Sequence, residues 1–340
     1  MYQISKEGKN LQGNINISGS KSESNRLLTL RAYTSFFNIN NLSDSDDTNT
    51  MISSLKSDDK EINIGHAGTA MRFLTSYYSS ILNSSKILTG SARMKERPIL
   101  ILVEALNNLG ADIEYIDEKG YPPIRLNGKL ISKNIVTLPA NVSSQYVSSL
   151  MMLGVSINEG LKIKLSTKIT SLPYIHMTKK IIERIGGNVD VKQDEIIIKQ
   201  LVSNKIPDQI VESDWSSASY FFSLVALSDT SDLTLSSFFN KSIQGDSRIV
   251  EIYKQFGVET KFHNNKIHLK KNNIDLPDSI SINLRDNPDL AQTIIVTCLG
   301  LGVDCKLEGL QTLKVKETDR LLALKREIEK FEVDTIAVSD

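Results

Sequence analysis

The chain has 340 residues, of which 40% are apolar, and this is enough for two domains with sizeable cores. Its 40 lysines and arginines balance 40 aspartates and glutamates. Such a balance excludes the excess of positive charge that is typical of proteins that bind nucleic acids or anionic membranes. Any anion site must therefore be a local arrangement of residues.

The chain begins with MYQISKEGKN, which lacks the apolar core of a signal peptide and the arginine-rich character of a transit peptide. No apolar run approaches the roughly 18–20 residues needed to span a bilayer. Cys298 and Cys305 show no CxxC or Cys/His pattern and are predicted to be buried thiols, and the four histidines show no metal-ligand spacing. We therefore expect a cytoplasmic protein without a structural metal.

Five segments are predicted to form one kind of helix, which begins with small or charged polar residues and then turns apolar. They are SKSESNRLLTLRAY, HAGTAMRFLTSYYS, SSQYVSSLMMLG, DWSSASYFFSLVAL and DNPDLAQTIIVTCLG. After the first pair, their starts lie about 70–77 residues apart. This spacing indicates an internal repeat.

A second kind of helix is amphipathic, ends in or near glycine and runs into a strand. It is predicted at DDTNTMISSLKS, PILILVEALNNLGADIEYI, HMTKKIIERIGGNVDVK, IVEIYKQFGVETKFH and LALKREIEKFEVDTIAV. Short strands are predicted at NINIS, IEYI, LKIKLS, EIIIK and KIHLK. Each unit thus runs strand, helix, strand, helix and further strands, an α/β or α+β pattern. Only DTIAVSD follows the last helix, so we expect a sixth unit to be missing.

The stretch LKVKETDRLL gathers five charged residues near the end of the chain. Val315 between Lys314 and Lys316 is predicted to end a strand, and the apolar spacing beyond it predicts a helix that begins near Thr318 or Asp319. Backbone N–H groups are free at such a junction and favour anions. A charged loop before an ordinary amphipathic helix explains this stretch equally well.

The five helices of the first kind are predicted to begin with uncovered backbone N–H groups, at Lys21-Ser22, Gly68-Thr69, Ser143-Ser144-Gln145, Ser216-Ser217 and Asp289. If these ends point the same way, they favour phosphates and carboxylates in one cleft. Cations lie alongside, namely Lys21, Arg26, Arg72, Arg93, Arg97, Lys316 and Arg320. Ordinary N-capping explains any single helix better, but five in register favour an anion cleft.

Two acids, Asp289 and Glu317, lie among these cations. Carboxylates in a cationic, partly dry cleft can act as general base and general acid. An N-cap role for Asp289 and an ion-pair role for Glu317 explain them as well.

Nine motifs, in this order, resemble those of the EPSP synthase family of enolpyruvyl transferases: GSKSESNR, GHAGTAMRFLT, TGSARMKERPI, SSQYVSSLMM, SLPYIHMT, ESDWSSASYFF, GDSR, DNPDLAQT and KVKETDRL. The resemblance implies cofactor-free transfer of the enolpyruvyl group of phosphoenolpyruvate to the 5-hydroxyl of shikimate 3-phosphate. It implies two domains of three βαβαββ units each, around a cleft that closes on the substrates. In this chain the first domain would comprise residues 1–19 and 214–340 and would be incomplete, and the second would comprise residues 20–213. It also implies a cytoplasmic monomer that glyphosate inhibits.

The resemblance assigns roles to the residues that match family motifs. Asp289 would take the 5-hydroxyl proton, and Glu317 and Lys21 are candidates for protonating the methylene carbon. Shikimate 3-phosphate would be held by Lys21, Ser22, Arg26, Ser143, Ser144, Gln145, Ser171, Tyr174, Asp289, Thr312 and Lys316. Phosphoenolpyruvate would be held by Lys21, Gly68, Arg97, Gln145 and Arg320.

The chain departs from the family pattern at three points. His66 and Thr312 each stand where the family often has asparagine, and the chain ends before the HRMA arginine and a later lysine of the phosphoenolpyruvate site. Two alternatives remain. One is an inactive fragment that only binds shikimate 3-phosphate. The other is the related enzyme that acts on UDP-N-acetylglucosamine, which the cysteine-free loop LTGSARMKERP and KETDR disfavour.

Overall fold

The computed structural model describes residues 10–35, 37–139, 143–167, 172–202, 205–331 and 333. Within these residues the helices are α1 (Lys21–Tyr33), α2 (Asp46–Lys56), α3 (Gly68–Ser80), α4 (Ala92–Lys95), α5 (Leu100–Leu109), α6 (Ser144–Gly154), α7 (Leu172–Arg184), α8 (Trp215–Ala226), α9 (Ile249–Tyr253), α10 (Ala291–Leu301) and α11 (Arg320–Glu329).

The strands of the same residues are β1 (Asn10–Ile15), β2 (Ile39–Asn40), β3 (Glu61–Asn63), β4 (Ser85–Thr89), β5 (Asp112–Tyr115), β6 (Ile124–Asn127), β7 (Ile135–Leu138), β8 (Leu161–Leu165), β9 (Val189–Val191), β10 (Glu195–Ile198), β11 (Gln209–Ile210), β12 (Thr230–Ser236), β13 (Val258–His263), β14 (Lys266–Lys271), β15 (Ser279–Asn283) and β16 (Asp304–Glu308). All five helices of the first kind are confirmed, and so are four of the five predicted strands. The strand predicted at NINIS is confirmed only in part, because β1 ends at Ile15 and the last three residues of that segment are not in a strand. The segment DTIAVSD lies outside the described residues.

Three four-stranded sheets share one topology, with orders β3-β4-β6-β5, β7-β8-β10-β9 and β1-β12-β14-β13. In each sheet the first two strands are parallel, and the other pairings are antiparallel. A helix of the first kind precedes the second strand, and an amphipathic helix follows it. Two adjacent parallel strands need a crossover connection of this kind, usually a helix. This recurrence confirms the predicted βαβαββ unit and the mixed α and β fold.

By its internal contacts the chain divides into two units, one of Met1–Ser18 with Glu212–Asp340 and the other of Gly19–Val211. We call them the discontinuous unit and the continuous unit. The domains predicted by resemblance, residues 1–19 with 214–340 and residues 20–213, remain a prediction.

In the continuous unit, the helices of the first kind pack against one another through small polar residues. Ser76 of α3 and Ser149 of α6 share a hydrogen bond of 2.6 Å, and the Ser149 hydroxyl also donates to the carbonyl of Arg72 at 2.9 Å. Both serines are buried. Because a buried hydroxyl is costly unless it is hydrogen-bonded, these pairs hold the two helices in one register.

The discontinuous unit repeats this arrangement between α8 and α10. Ser219 and Thr293 share a hydrogen bond of 2.8 Å, and Thr297 donates to Ser223 at 2.7 Å. Around these pairs lies an aromatic core in which the ring of Trp215 meets that of Phe238 edge to face, with centroids 4.7 Å apart. The core holds the first turn of α8 in place.

Two sequence predictions are wrong. Lys314 and Val315 lie in a 3-10 turn, Gln311–Val315, and not in a strand, because Leu313 is drawn into the core with 0% exposure. Cys305 is exposed, because among the described residues β15 is the one strand that pairs with β16, whereas Cys298 is buried as predicted. Among the described helices none combines the length and apolar character needed to cross a membrane.

Candidate active-site residues

The starts of α1 and α3 in the continuous unit lack a side-chain cap. Ser20 precedes Lys21, and Ala67 precedes Gly68, and neither makes a side-chain capping hydrogen bond. The residue before each helix therefore leaves the first backbone N–H groups uncapped, as predicted for these two helices, and the positive end of a helix dipole favours an anion.

Two other helix starts are capped by their own residues. Ser143 Oγ accepts from the N–H of Gln145 at 3.3 Å, and Asp214 Oδ1 accepts from the N–H of Ser217 at 2.8 Å. Ordinary N-capping, the alternative considered above, is thus correct for α6 and α8. Asp289 lies in a 3-10 turn, Pro288–Leu290, that leads into α10.

Arg26 is buried within the continuous unit, with 2% of its surface exposed. Its Nε donates to Thr178 at 2.7 Å, its Nη2 to Ser148 at 3.1 Å and its Nη1 to the carbonyl of Ser22 at 2.8 Å. Burial lowers its pKa to about 10, against the opposing effects of Tyr174 and Glu23. Arg26 therefore ties α1 to α6 and α7, and three of its five N–H groups already have protein partners.

Gly68 and Arg97 are in direct contact. A Cβ atom added to Gly68 would lie 2.5 Å from Nη1 and 2.9 Å from Nη2 of Arg97, far inside van der Waals contact. Arg97 itself is buried and comes just before Pro98. The glycine is thus what allows a guanidinium to lie against the first turn of α3.

Gln145 connects the starts of two helices of the first kind. Its Nε2 donates to Thr69 Oγ1 at 3.3 Å, which links the first turn of α6 to that of α3. Tyr174, in the first turn of α7, has its ring centroid 5.8 Å from Cζ of Arg26. Ser144 is the first residue of α6 and is partly exposed. Ser171 lies outside the described residues.

The discontinuous unit brings a second set of predicted residues together at the start of α11. Arg320 donates from Nη1 to Asp289 Oδ1 and from Nη2 to Glu317 Oε2, both at 2.8 Å. Lys316 Nζ lies 3.6 Å from Asp289 Oδ1. Burial lowers the pKa of Arg320, but the two carboxylates outweigh it and raise the pKa above its ordinary value. The helix begins at Arg320 with Asp319 as its N-cap, as predicted.

Thr312 lies in the 3-10 turn just before this cluster. Its Oγ1 is buried, and no hydrogen-bond partner for it is found among the described residues. A buried hydroxyl without a partner is costly, so it is a ready donor or acceptor for a ligand.

Sequence reasoning missed one carboxylate of the discontinuous unit. Asp246 is buried, and its Oδ2 accepts a hydrogen bond of 2.5 Å from Ser216, the second residue of α8. The motif GDSR that contains it was the only available signal, and it indicates no role by itself. Among the described residues, no group of three or more histidines, cysteines or acids could hold a metal ion.

The chain is similar in sequence to known proteins of one family. The sequence model of the EPSP synthase (3-phosphoshikimate 1-carboxyvinyltransferase) family matches residues 53–340. A protein of Bacteroides fragilis strain YCH46, named 3-phosphoshikimate 1-carboxyvinyltransferase, is 43% identical over 322 residues, which are 94% of this chain and 78% of that protein. The chain belongs to the EPSP synthase family.

Two more distant proteins are also similar to the chain. A 3-phosphoshikimate 1-carboxyvinyltransferase of Colwellia psychrerythraea is 32% identical over 365 residues, with 97% of this chain and 83% of that protein covered. The solved structure of the EPSP synthase of Acinetobacter baumannii has the same fold, with a TM-score of 0.71 at 18% identity, and covers 94% of this chain and 78% of that one. The fold expected for an EPSP synthase is therefore confirmed.

Proposed function

We propose that the chain transfers the enolpyruvyl group of phosphoenolpyruvate to the 5-hydroxyl of shikimate 3-phosphate and releases phosphate. This is the reaction of the shikimate pathway that leads to chorismate and the aromatic amino acids. The observation that carries the proposal is the cluster in which Arg320 binds both Asp289 and Glu317 beside Lys316, in a chain of this family. It places acids and cations together, as transfer between two anionic substrates requires.

The substrate-binding residues are proposed from the family motifs. Shikimate 3-phosphate would contact Lys21, Ser22, Arg26, Ser143, Ser144, Gln145, Ser171, Tyr174, Asp289, Thr312 and Lys316. Phosphoenolpyruvate would contact Lys21, Gly68, Arg97, Gln145 and Arg320. The uncapped helix starts at Lys21 and Gly68 support the anion-binding part of this assignment, because their backbone N–H groups favour phosphate.

The chemistry has two stages. As the 5-oxygen of shikimate 3-phosphate bonds to C2 of phosphoenolpyruvate, its proton passes to the Asp289 carboxylate, and the methylene carbon takes a proton from Glu317 or Lys21. The resulting tetrahedral intermediate then returns a methyl proton to whichever of Glu317 and Lys21 had donated one, and it expels phosphate, which takes up the proton held by Asp289. The double bond is thereby restored. Each proton transfer needs a group within hydrogen-bond reach of the reacting atom.

In this mechanism the cationic side chains bind the anionic substrates and stabilise the charge that develops during the reaction. A guanidinium such as Arg97 grips a carboxylate or phosphate through two parallel donors, whereas Lys316 acts as a point charge. Because Arg97 is held against Gly68, it is already oriented before a substrate arrives. Oriented cations stabilise the developing charge without reorganising during the reaction.

We further propose the properties that the resemblance implies. The chain would act as a cytoplasmic monomer without a cofactor. Glyphosate would compete with phosphoenolpyruvate, since Gly68 has no side chain to obstruct that site.

A direct assay tests the function. Purified protein given shikimate 3-phosphate and phosphoenolpyruvate should release phosphate and form the enolpyruvyl product, detected by a coupled phosphate assay and mass spectrometry. Calorimetric binding of shikimate 3-phosphate without phosphate release would favour the binding-only alternative. Turnover with UDP-N-acetylglucosamine in its place would assign the chain to the related enzyme.

A further inference from the structure

The two cysteines of the chain lie on neighbouring elements of the discontinuous unit. Cys298 is near the end of α10, and Cys305 is the second residue of β16. Cys298 is 1% exposed and belongs to the hydrophobic core, whereas Cys305 is exposed to solvent. A reagent in solution can therefore reach the Cys305 thiol, while the Cys298 thiol is protected from it.

A tight turn joins the two elements. The N–H of Gly302, which has a φ of 67°, donates to the carbonyl of Leu299 at 3.3 Å. The N–H of Val303 donates to the carbonyl of Cys298 at 3.0 Å. These two bonds form the Schellman arrangement, which ends a helix and changes the direction of the chain. Beyond the turn, β16 packs against α10.

The alternation of side chains along β16 places Cys305 on the face that meets the helix. Successive side chains of a strand point to opposite faces, so Cys305 shares its face with Leu307 and, just before the strand, with Val303. Val303 is buried in the core, and Leu307 packs against that core. On this face the thiol of Cys298 donates a hydrogen bond to the sulfur of Cys305. The exposed and the protected thiol are therefore in contact.

This contact makes Cys305 the more reactive of the two thiols. The hydrogen bond from Cys298 lowers the pKa of Cys305 below its ordinary value, and it outweighs the partial burial of the sulfur and the charge of Asp304. The same hydrogen bond, followed by burial, raises the pKa of Cys298. Because the thiolate is the nucleophile, Cys305 is the thiol suited to attack a reagent, and Cys298 stays protonated beside it.

We propose that Cys305 and Cys298 form a peroxide-sensitive modification site, which closes a reversible disulfide between β16 and α10. The Cys305 thiolate attacks one oxygen of hydrogen peroxide, so that an S–O bond forms, the O–O bond breaks and the departing hydroxide takes up a proton. The sulfur of Cys298 then bonds to that of the Cys305 sulfenic acid, the S–O bond breaks, and hydroxide leaves as water with the proton of Cys298. Two thiols thus give two electrons to one peroxide, and two water molecules result.

The reaction uses neither substrate of the proposed function. An exposed attacking thiol next to a protected resolving thiol suits a reversible cycle, because disulfide formation removes the sulfenic acid before it reaches the irreversible sulfinic stage. In a reducing compartment, other thiols reopen such a disulfide by exchange, so it forms only transiently.

The first experiment treats the native chain with hydrogen peroxide and follows its thiols. Both thiols should be lost, the mass of the chain should fall by two hydrogen atoms, and a dithiol reductant should restore both. A protease that cuts before aspartate separates residues 289–303 from residues 304–318, so the disulfide should join these two peptides until it is reduced. Disulfide-linked dimers, a Cys305 sulfinic acid beside a free Cys298, or two unreacted thiols would each overturn the proposal.

The variants Cys305→Ser and Cys298→Ala assign the roles of the two thiols. Cys305→Ser should lose its remaining thiol at least about tenfold more slowly than the native chain loses its first, because that thiol is buried. Cys298→Ala should still react, but it should stop at the sulfenic acid, which dimedone traps. Equally fast reaction of Cys305→Ser, or equal trapping in the native chain and in Cys298→Ala, would contradict these roles. The peptide mapping uses the native chain, so it decides the proposal even if a variant does not fold.

Discussion

Gly68 and Arg97 are packed so closely that a methyl group on the glycine would lie 2.5 Å from Nη1 of the arginine. Arg97 is buried, with 8% of its surface exposed, so it has little room to move aside. Both residues are proposed to contact phosphoenolpyruvate. The position of this guanidinium therefore depends directly on the absence of a side chain at residue 68.

Gly68→Ala should weaken the binding of phosphoenolpyruvate and of glyphosate, because the methyl group displaces Arg97 from its place. Hydrogen bonds to charged groups contribute about 1.5–3 kcal/mol, so the KM for phosphoenolpyruvate should rise at least about tenfold. The KM for shikimate 3-phosphate should change much less. Steady-state kinetics with each substrate varied in turn, and glyphosate inhibition curves, measure these effects.

Gly300→Ala is the matched control for that substitution. Gly300 lies in α10 of the discontinuous unit. A Cβ atom added to it would lie 2.6 Å from the end of the flexible Leu227 side chain. Both KM values should stay near those of the native chain. A Gly68→Ala protein with native KM for phosphoenolpyruvate would show that Arg97 does not bind it.

Asp289→Asn should lower kcat by about 10²–10⁴-fold, because an amide cannot accept the 5-hydroxyl proton. Shikimate 3-phosphate should still bind, since most of its proposed contacts remain. Stopped-flow phosphate release and calorimetry separate these two effects. Glu251→Gln, which removes an exposed carboxylate paired with Lys254, is the control. A kcat within twofold of the native value would remove Asp289 from the proposed mechanism.

Glu23→Gln should destabilise the continuous unit, because Glu23 is fully buried and paired with Arg184 of α7. Breaking a buried ion pair from one side costs about 3–5 kcal/mol, while replacing both partners by apolar residues is often neutral. Arg184 keeps 34% of its side chain exposed, so the loss should lie at or below the lower end of that range.

Urea unfolding measures this effect, and the paired variant Glu23→Leu with Arg184→Leu provides the comparison. It should be more stable than Glu23→Leu alone. Equal stability of these two proteins would mean that the ion pair does not stabilise the packing of α1 against α7.

The stability of the chain should depend on pH through Asp246. Its pKa is raised from 3.8 to about 7 in the folded state, so folding favours the protonated carboxyl. The contribution is complete below about pH 4, and it is lost as the pH rises to about 7. Urea unfolding from pH 4.5 to 8 measures this effect. The free energy of unfolding of the native chain, taken relative to that of Asp246→Asn, should fall as the pH rises over this range. A difference independent of pH would contradict the raised pKa.

The repeat could be predicted from the sequence because its helices combine a regular spacing with a distinct composition. The start of α1 at Lys21 and of α3 at Gly68 followed from polar residues placed just before apolar ones. The strand predicted around Val315 failed because three alternating residues fit a strand and a 3-10 turn equally. The burial of Leu313, a tertiary contact, decides between them.

The site could be predicted only in part, because residue types do not reveal their partners. Ser143 and Asp214 suit an anion site and an N-cap alike, and both cap their own helices. Two of the donors of Arg26 are taken up by Ser148 and Thr178, which lie 122 and 152 residues further along the chain. Such contacts have no signal in local periodicity. The hydrogen bond from Ser216 to Asp246, which are 30 residues apart, likewise has no such signal.

The hydroxyl pairs between α3 and α6, and between α8 and α10, make the sliding of one helix along another costly. A slip by one residue moves a helix by about 1.5 Å along its axis and rotates it, which would separate Ser76 from Ser149 and Ser223 from Thr297. An apolar seam could slip and repack, whereas the paired hydroxyls of a slipped seam would lose their partners together. The buried hydroxyl pairs therefore fix the position of each helix along its axis, and with it the position of its first turn. Substitutions in these seams should disturb ligand binding even though they lie away from the ligand.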